Sequence, residues 1–185
     1  MAAGARIEGY AIVSADGMIA NAEGEIPASL MIEADQRLFL AAVEAADVVV
    51  HGRHSAEKPP SPSRRRLIVT GQVPGIAADP SNAKALLWNP AGAPFEDALA
   101  ALGSPNEAIA ILGGTRVFEL FLDRYDAFHL SRAQNAGLPG GRPVFLKVPA
   151  LSPEDVLASH GLVPGAQQIL DPEKGLTLTS WRRLA

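Results

Sequence analysis

The chain has 185 residues, 48% of them hydrophobic and 19% charged, and its formal net charge is −4 at pH 7. This composition is typical of a soluble globular protein with one sizeable core. The acidic balance argues against a nucleic-acid partner, the lack of cysteine excludes disulfides, and no apolar stretch is long enough for a membrane span. The first residues lack the apolar core of a secretory signal, so we expect one cytoplasmic domain over residues 1–185.

The hydrophobic pattern alternates between short strands and amphipathic helices. The first half predicts a strand over Ile7–Ser14, a helix over Ile32–Ala46, and strands over Val48–His51, Leu67–Thr70 and Ala85–Trp88. The second half predicts a helix over Phe95–Leu102, a strand over Ile109–Leu112, a helix over Val117–Leu122, and strands over Ala127–Ala133, Gln167–Leu170 and Leu176–Arg182. This alternation predicts an α/β fold with a mostly parallel central sheet and right-handed crossovers. The last two segments predict an antiparallel C-terminal hairpin at its edge.

Two glycines, Gly113 and Gly114, separate an apolar run from a helical pattern with Val117, Leu120 and Phe121 on one face. The free N–H groups of a first helical turn point at an anion, and glycine lets the backbone approach it closely. The pattern therefore predicts a turn that binds phosphate groups. The alternative is an ordinary tight turn between a strand and a helix.

Several segments resemble, in order and spacing, motifs of the dihydrofolate reductase-like superfamily. They are Ser14-Ala-Asp-Gly-Met-Ile-Ala20, Val48-Val-Val-His-Gly-Arg-His-Ser55, Leu67-Ile-Val-Thr-Gly-Gln72, the Gly113–Gly114 segment, and Tyr125-Asp-Ala-Phe-His-Leu-Ser-Arg132. The first of them resembles dihydrofolate reductase and the reductase domain of riboflavin biosynthesis equally. The resemblance covers roughly residues 7–145 and implies the dihydrofolate reductase-like three-layer fold.

Members of this family reduce a carbon–nitrogen double bond with NADPH, so the resemblance implies NADPH as the cofactor. The cofactor-binding residues that it implies are Ala11, Ile12, Ile19, Ala20, Gly52, Arg53, Ser55, Thr70, Gln72, Leu112, Gly113, Gly114, Thr115, Arg116 and Val117. Arg53 and Ser55 would contact the pyrophosphate and the 2′-phosphate, for which a guanidinium is well suited. The alternative for Arg53 is a solvated surface charge.

Asp35 is the candidate catalytic carboxylate. It lies four residues before Phe39, so both side chains are on one face of the predicted helix. A carboxylate beside apolar neighbours has a raised pKa and can bind a flat, amidine-like ring through two hydrogen bonds. Dihydrofolate reductases carry Asp-x-x-x-Phe on such a helix. The alternatives are that Asp35 only complements the helix dipole, or that Glu33 is the functional carboxylate.

The same resemblance implies the remaining site residues. Ser131 matches a family threonine that supports the catalytic carboxylate, and Phe39 would pack on the substrate ring. Arg64 is the nearest match to an arginine that pairs with the acidic tail of folate, with a solvated basic run as its alternative reading. Phe118 stands where the family often has a tyrosine, and it is included among the substrate-binding residues.

Two departures bear on the substrate. Ile26-Pro27-Ala28 stands where dihydrofolate reductases have Leu-Pro-Trp, and Tyr10 stands where riboflavin-type reductases have a lysine. We expect an NADPH-dependent oxidoreductase acting on a small heterocycle, with a pterin such as dihydrofolate as first choice. A 5-amino-6-ribosylaminouracil phosphate of riboflavin biosynthesis is the alternative substrate, and a catalytically inactive nucleotide-binding module is the alternative function. The histidines show no metal-ligand spacing, so no metal is expected. A homodimer is expected if the chain is of the riboflavin type.

Overall fold

The computed structural model describes residues 4–54, 64–103 and 108–185. Its helices are α1 (Glu33–Ala45), α2 (Phe95–Ala101), α3 (Thr115–Leu120) and α4 (Pro153–Ser159), with a 3-10 turn over Ala28–Leu30. Its strands are β1 (Arg6–Ser14), β2 (Met18–Ala20), β3 (Val48–Gly52), β4 (Arg65–Val69), β5 (Ile76–Ala78), β6 (Ala85–Trp88), β7 (Ala108–Ile111), β8 (Ala127–Ala133), β9 (Arg142–Pro143), β10 (Leu162–Pro164), β11 (Gln168–Asp171) and β12 (Leu176–Arg183). Within these ranges no helix combines the length and apolar character that crossing a membrane requires.

The main sheet has the order β5-β6-β4-β3-β7-β1-β8-β12-β10, and β11 also pairs with β12. The central strands, from β6 to β8, are parallel to one another. Antiparallel pairing is confined to the two edges, where β5 pairs with β6 and β12 pairs with β8, β10 and β11. The prediction of a mostly parallel sheet with a C-terminal antiparallel hairpin is therefore confirmed. A separate small sheet joins β2 to β9.

Each predicted strand and helix is present with ends within two residues of the prediction. The prediction missed β2, β5, β9 and β10, which have only two or three residues and cannot show a period. It also missed α4, although its start carries clear local signals. Ser152 caps this helix by accepting a hydrogen bond from the Asp155 N–H at 3.0 Å, and Pro153 occupies the first turn.

The sheet separates two helix layers, because successive side chains of a strand point to opposite faces. On one face, Val48 and Val50 of β3 belong to the large core with residues of α2, α3 and α4. On the other face, Val49 of β3 packs with Val43 of α1 and with Ala110. The helices α1 and α3 therefore lie on opposite faces of the sheet.

The guanidinium of Arg183, in the last strand, holds three separate parts of the chain together. It donates hydrogen bonds to the carbonyl oxygens of Leu122, Tyr125 and His160, at 3.1, 3.0 and 2.8 Å. These carbonyls lie after α3, before β8 and after α4. One side chain thus satisfies backbone acceptors that helix ends leave without intrahelical partners.

A polar cluster crosses β1, β8 and β12 on the α1 face. The Glu8 carboxylate accepts hydrogen bonds from the Tyr10 hydroxyl at 2.8 Å and from His129 Nε2 at 2.9 Å. The hydrogen bond from His129 lowers the pKa of Glu8 from its usual 4.5 to about 2, with help from Tyr10 and Arg6 and against the effect of burial. The cluster therefore stabilises the folded protein when Glu8 is ionised.

We predict that Glu8→Gln lowers the free energy of unfolding by roughly 3 kcal/mol at neutral pH, the equivalent of the difference between a pKa of 4.5 and one of about 2. Because the folded-state pKa is the lower one, the stabilisation is complete above pH 4.5 and is lost as the pH falls towards about 2. Urea unfolding of both proteins at several pH values in this window measures the effect. Glu44→Gln, at an exposed position of α1, is the control. A difference that does not shrink in acid would contradict the role given to the Glu8 charge.

Candidate active site

The pairing of β1 with β7 ends before β1 does, at the carboxyl ends of the parallel strands, and the space beside the open edge of β1 is here called the cleft. Residues Arg6–Gly9 of β1 pair with β7, and the last of these pairs is Gly9 with Ile111. On its other side β1 stays paired with β8 as far as Ser14. The predicted nicotinamide contacts Ala11 and Ile12 therefore lie where β1 has a partner strand on one side only. The chain leaves β1 towards α1 on one face and leaves β7 towards α3 on the other, and such a switch point is where open α/β sheets bind ligands.

The glycine turn forms the β7 side of this cleft. Gly113 has φ +104°, and a Cβ there would lie 2.8 Å from the Phe118 ring, so this position requires glycine on two grounds. The peptide bond to Gly114 is cis. Helical hydrogen bonding starts with the N–H groups of Val117 and Phe118, which both donate to the Gly114 carbonyl. The N–H groups of Thr115 and Arg116 precede the first intrahelical bond, as in any helix start.

Gly52, at the end of β3, lies against the glycine turn. Its N–H donates to the Gly113 carbonyl at 2.8 Å. A Cβ added to Gly52 would lie 3.7 Å from Val117 Cγ2 and 3.9 Å from both Gly113 O and Gly114 N, which are ordinary contacts. The protein itself therefore has room for a methyl group at this position, on the side of β3 that faces the turn.

The short strand β2 is connected to the same turn through β9. Met18 and Ala20 of β2 pair with Pro143 and Arg142. The Thr115 hydroxyl donates to the Pro143 carbonyl at 2.5 Å. The predicted cofactor residues Ile19, Ala20 and Thr115 are thus held in one substructure. Because the Thr115 hydroxyl already donates its hydrogen to Pro143, the donor that Thr115 can offer to a ligand is its backbone N–H.

The other predicted cofactor residues lie at neighbouring strand ends. Thr70 follows β4, is buried, and accepts a hydrogen bond from the Gln72 N–H through its hydroxyl at 3.2 Å. Arg53 is exposed in the turn after β3, and Arg116 is exposed in the first turn of α3. Leu112 is buried beside Val49 in the α1-side cluster. Ser55 lies outside the described residues.

Asp35 and Ser131 come together on the α1 face of the sheet. Asp35 is only 8% exposed, and burial raises the pKa of its carboxyl, although the neighbouring Ser131 hydroxyl acts in the opposite direction. The Ser131 hydroxyl is itself buried and reaches no partner at normal hydrogen-bonding distance within the described residues. Ser131 pairs in register with Ile12. The carboxylate is therefore placed beside the part of β1 that borders the cleft.

The remaining substrate candidates separate into three locations. Phe39 is half-buried with Tyr10 in the α1-side cluster, on the same helix as Asp35. Phe118 is 2% exposed and packs on Phe128 in the opposite core, so the structure does not bring its ring to the α1 side. Arg64 precedes β4, at the amino edge of the sheet. Glu33 is 82% exposed and pairs with Arg37 at 3.4 Å, which leaves Asp35 as the carboxylate at Ser131.

Sequence reasoning missed His51, which is 1% exposed next to Gly52. Its Nδ1 lies 2.7 Å from the Gly52 carbonyl oxygen, and its Nε2 lies 3.2 Å from an Arg66 nitrogen. Because Arg66 can only donate, His51 Nε2 accepts and its Nδ1–H donates to Gly52. No local pattern singles out this histidine, since its role depends on a residue from the neighbouring strand.

Two further observations concern the rest of the molecule. A cavity of about 600 Å³ lies near α4 and contains none of the predicted site residues; it is lined in part by Asp16, Arg132, Gln134 and Glu154. Among the described residues, no three histidine, aspartate or glutamate side chains come together in a way that could hold a metal ion.

Comparisons with known proteins found likeness in structure only. No family model matches the sequence, and no curated protein matches it. Dihydrofolate reductase from Enterococcus faecalis, solved with NADP(H) and RAB-propyl, is similar with a TM-score of 0.66 at 18% identity, over 97% of each chain. A riboflavin biosynthesis protein from Shewanella sp. PV-4 is similar with a TM-score of 0.64 at 18% identity, over 97% of this chain and 99% of that one.

A third similar structure is longer than this chain. It is a diaminohydroxyphosphoribosylaminopyrimidine deaminase/5-amino-6-(5-phosphoribosylamino)uracil reductase from Thermotoga maritima, with a TM-score of 0.64 at 14% identity. The likeness covers 98% of this chain and 57% of that one. Together these structures show that the chain has the dihydrofolate reductase-like fold, as its motifs predict.

Proposed function

We propose that this protein is an NADPH-dependent reductase that transfers hydride to a small heterocycle, with a pterin such as dihydrofolate as its substrate. The observation that carries this proposal is the placement of Asp35. Its buried carboxylate, with a raised pKa, lies beside Ser131 and the part of β1 that pairs with β8 alone. The glycine turn lies on the other side of the same cleft, so a cofactor and a heterocycle can meet there from opposite faces of the sheet.

The residues of the cleft fit a dinucleotide. The exposed guanidiniums of Arg53 and Arg116 suit phosphate groups, and the backbone at Gly52 and Gly114 can be approached closely. Thr70 and Gln72 would flank the adenosine. When bound, NADPH supplies the hydride. The protein's own part is to hold the dinucleotide along the turn and to keep water from the cleft.

Asp35 orients the substrate and retains a proton near it. A heterocycle with an amino group next to a ring nitrogen can donate from the amino group to one oxygen of the Asp35 acid and accept the acid's O–H at the ring nitrogen, and Ser131 is placed to support that carboxyl group. Because burial favours the neutral acid, Asp35 keeps its proton to a higher pH than an exposed aspartate does. A retained proton assists protonation of the carbon–nitrogen bond that is reduced.

A pyrimidine reductase of the riboflavin type is the second candidate. The similarity to the Shewanella riboflavin biosynthesis protein supports it, because that similarity is as extensive as the one to dihydrofolate reductase. Against it, Tyr10 occupies the lysine position of such reductases. Its hydroxyl is bound to Glu8 and its ring is stacked on His129. The Tyr10 side chain is therefore already bound within the polar cluster.

The deciding assay follows the absorbance of NADPH with dihydrofolate and, separately, with the ribosylaminouracil phosphate. Oxidation with dihydrofolate alone supports the first candidate, and oxidation with the uracil derivative alone supports the second. NADPH binding without turnover of either compound would favour a nucleotide-binding module that lacks catalysis.

We predict that Gly52→Ala folds normally but binds NADPH at least about 10-fold more weakly. The added methyl group meets only ordinary contacts in the protein, yet it fills space where a phosphate would approach the backbone. Thermal unfolding and fluorescence titration measure the two effects. Gly137→Ala is the matched control, because its Cβ would meet nothing within 4 Å. Unchanged binding by Gly52→Ala would place the phosphates elsewhere.

We predict that Arg53→Ala weakens NADPH binding by about 1.5–3 kcal/mol, the usual contribution of hydrogen bonds to charged groups. NADH, which lacks the 2′-phosphate, should be affected less. Isothermal titration with both cofactors tests this, with Arg124→Ala as the control because Arg124 is an exposed arginine that pairs with Glu96. An equal loss for both cofactors would rule out a contact with the 2′-phosphate.

We predict that Asp35→Asn lowers turnover by about 10²–10⁴ and leaves NADPH affinity nearly unchanged. The same variant should be more stable than the parent at neutral pH. The folded-state pKa of Asp35 is raised, so ionisation above it disfavours the folded state, and the gain should vanish below the pKa of the unfolded chain. Steady-state rates and melting temperatures at pH 7 and in acid measure both effects. Full activity in the variant would exclude Asp35 from the chemistry.

A further inference from the structure

A serine, a histidine and a glutamate are aligned across three strands at some distance along the sheet from the glycine turn. The Ser180 hydroxyl of β12 lies 2.8 Å from His129 Nδ1, and His129 Nε2 lies 2.9 Å from a carboxylate oxygen of Glu8. Ser180 pairs in register with His129, which pairs with Tyr10. The backbone of the sheet therefore fixes the spacing of the whole row.

The hydrogens of this row can be assigned from the donors and acceptors. Glu8 is ionised and can only accept, so His129 Nε2 carries a hydrogen and donates it. In a neutral imidazole the other nitrogen, Nδ1, then has a lone pair. It accepts the hydrogen of the Ser180 hydroxyl. A hydroxyl bound to a base that is itself oriented by a carboxylate is the arrangement that activates serine nucleophiles.

The histidine is held in one orientation by its other neighbours. The Tyr10 ring stacks on it with centroids 4.7 Å apart and an angle of 16° between the planes. The Tyr10 hydroxyl donates to Glu8, and Arg6 lies 3.2 Å from the second Glu8 oxygen. The His129 ring and the Glu8 carboxylate are thus each held by at least one contact besides the row itself.

Ser180 is partly exposed to solvent where the edge partner of β12 changes from β10 to β11, and the Gly165 N–H donates to its carbonyl oxygen at 2.9 Å. β10 pairs with β12 up to Pro164 opposite Trp181, and β11 resumes with Gln168 opposite Leu178. Ser180 is half-buried beside the exposed residues 165–167 that lie between them. Arg182 is exposed two residues further along the same face of β12, where its positive charge can stabilise an anion that forms next to Ser180.

We propose that Ser180 is an activated nucleophile that accepts an acyl group from small activated esters, by a chemistry that needs no nicotinamide cofactor. The Ser180 oxygen forms a bond to the acyl carbon, and its proton passes to His129 Nδ1. The bond between the acyl carbon and the alcohol oxygen of the ester breaks, and the alcohol leaves with that proton. The products are acyl-Ser180 and the free alcohol, with no oxidation or reduction.

The probe is p-nitrophenyl acetate, added to the full chain without NADPH. We expect a burst of p-nitrophenol close to one equivalent and an acetyl group on the peptide that contains Ser180, found by mass spectrometry. Ser180→Ala should abolish the burst. His129→Gln should slow it by about 100-fold, the lower end of the usual effect of a general base. Ser159→Ala is the matched control, because that serine donates to the Val156 carbonyl instead of to a histidine.

A wild-type protein without acetyl-Ser180 overturns the proposal, as does a burst that survives in Ser180→Ala through acetylation of another residue. If His129→Gln does not fold, Ser180→Cys replaces it as the second variant, since a thiol next to the same base should be acylated at least as fast as the hydroxyl. Slower acylation of that cysteine than of free cysteine in solution would show that His129 does not act as a base.

Discussion

The strand β1 is held by β8 over its whole length, whereas its hydrogen bonds to β7 stop at Gly9. The reason lies in β7, which ends at Ile111 because the chain turns away at Gly113 with a φ that other residues rarely adopt. Because β7 ends there, the edge of β1 beyond Gly9 has no partner on that side. The chain continues from β1 to α1 on one face of the sheet and from β7 to α3 on the other, so this edge borders the cleft. The position of Asp35 on one side and of the glycine turn on the other both follow from this single parting of two strands.

The two sides of the cleft differ in their effect on the stability of the folded protein. The glycine turn satisfies its own requirements, because the Gly113 carbonyl is bound to Gly52 and α3 begins directly after it. The carboxylate side is less favourable. The Ser131 hydroxyl is buried without a hydrogen bond of normal geometry to the described residues, and burial disfavours the charged form of Asp35, so both groups oppose folding. The large aromatic and aliphatic core on the α3 face provides the stability that offsets it.

The sequence predicts the framework well because the framework depends on local periodicity. Buried runs such as Val48–His51 and the helical pattern around Phe39 are visible without tertiary information. The order of the motifs predicts the fold, and the match of Ser131 to a family threonine predicts that it lies near Asp35, although the two residues are far apart in the chain. The short strands β2 and β9 could not be predicted, since two or three residues show no period and their pairing exists only after β1 and α3 are in place.

Side-chain positions that depend on tertiary contacts could not be predicted from the sequence either. The resemblance places Phe118 among the substrate-binding residues because it matches a family tyrosine, but its ring packs on Phe128 in the core on the α3 face. His51 and the row from Glu8 to Ser180 depend on contacts between strands that are distant in sequence, so no spacing rule finds them.

The hydrogen bonds from Arg183 to three carbonyl oxygens restrict the local motion of β12. A local opening of the end of β12 must release Leu122, Tyr125 and His160 together, so the amides there are expected to exchange with solvent as slowly as those of β8.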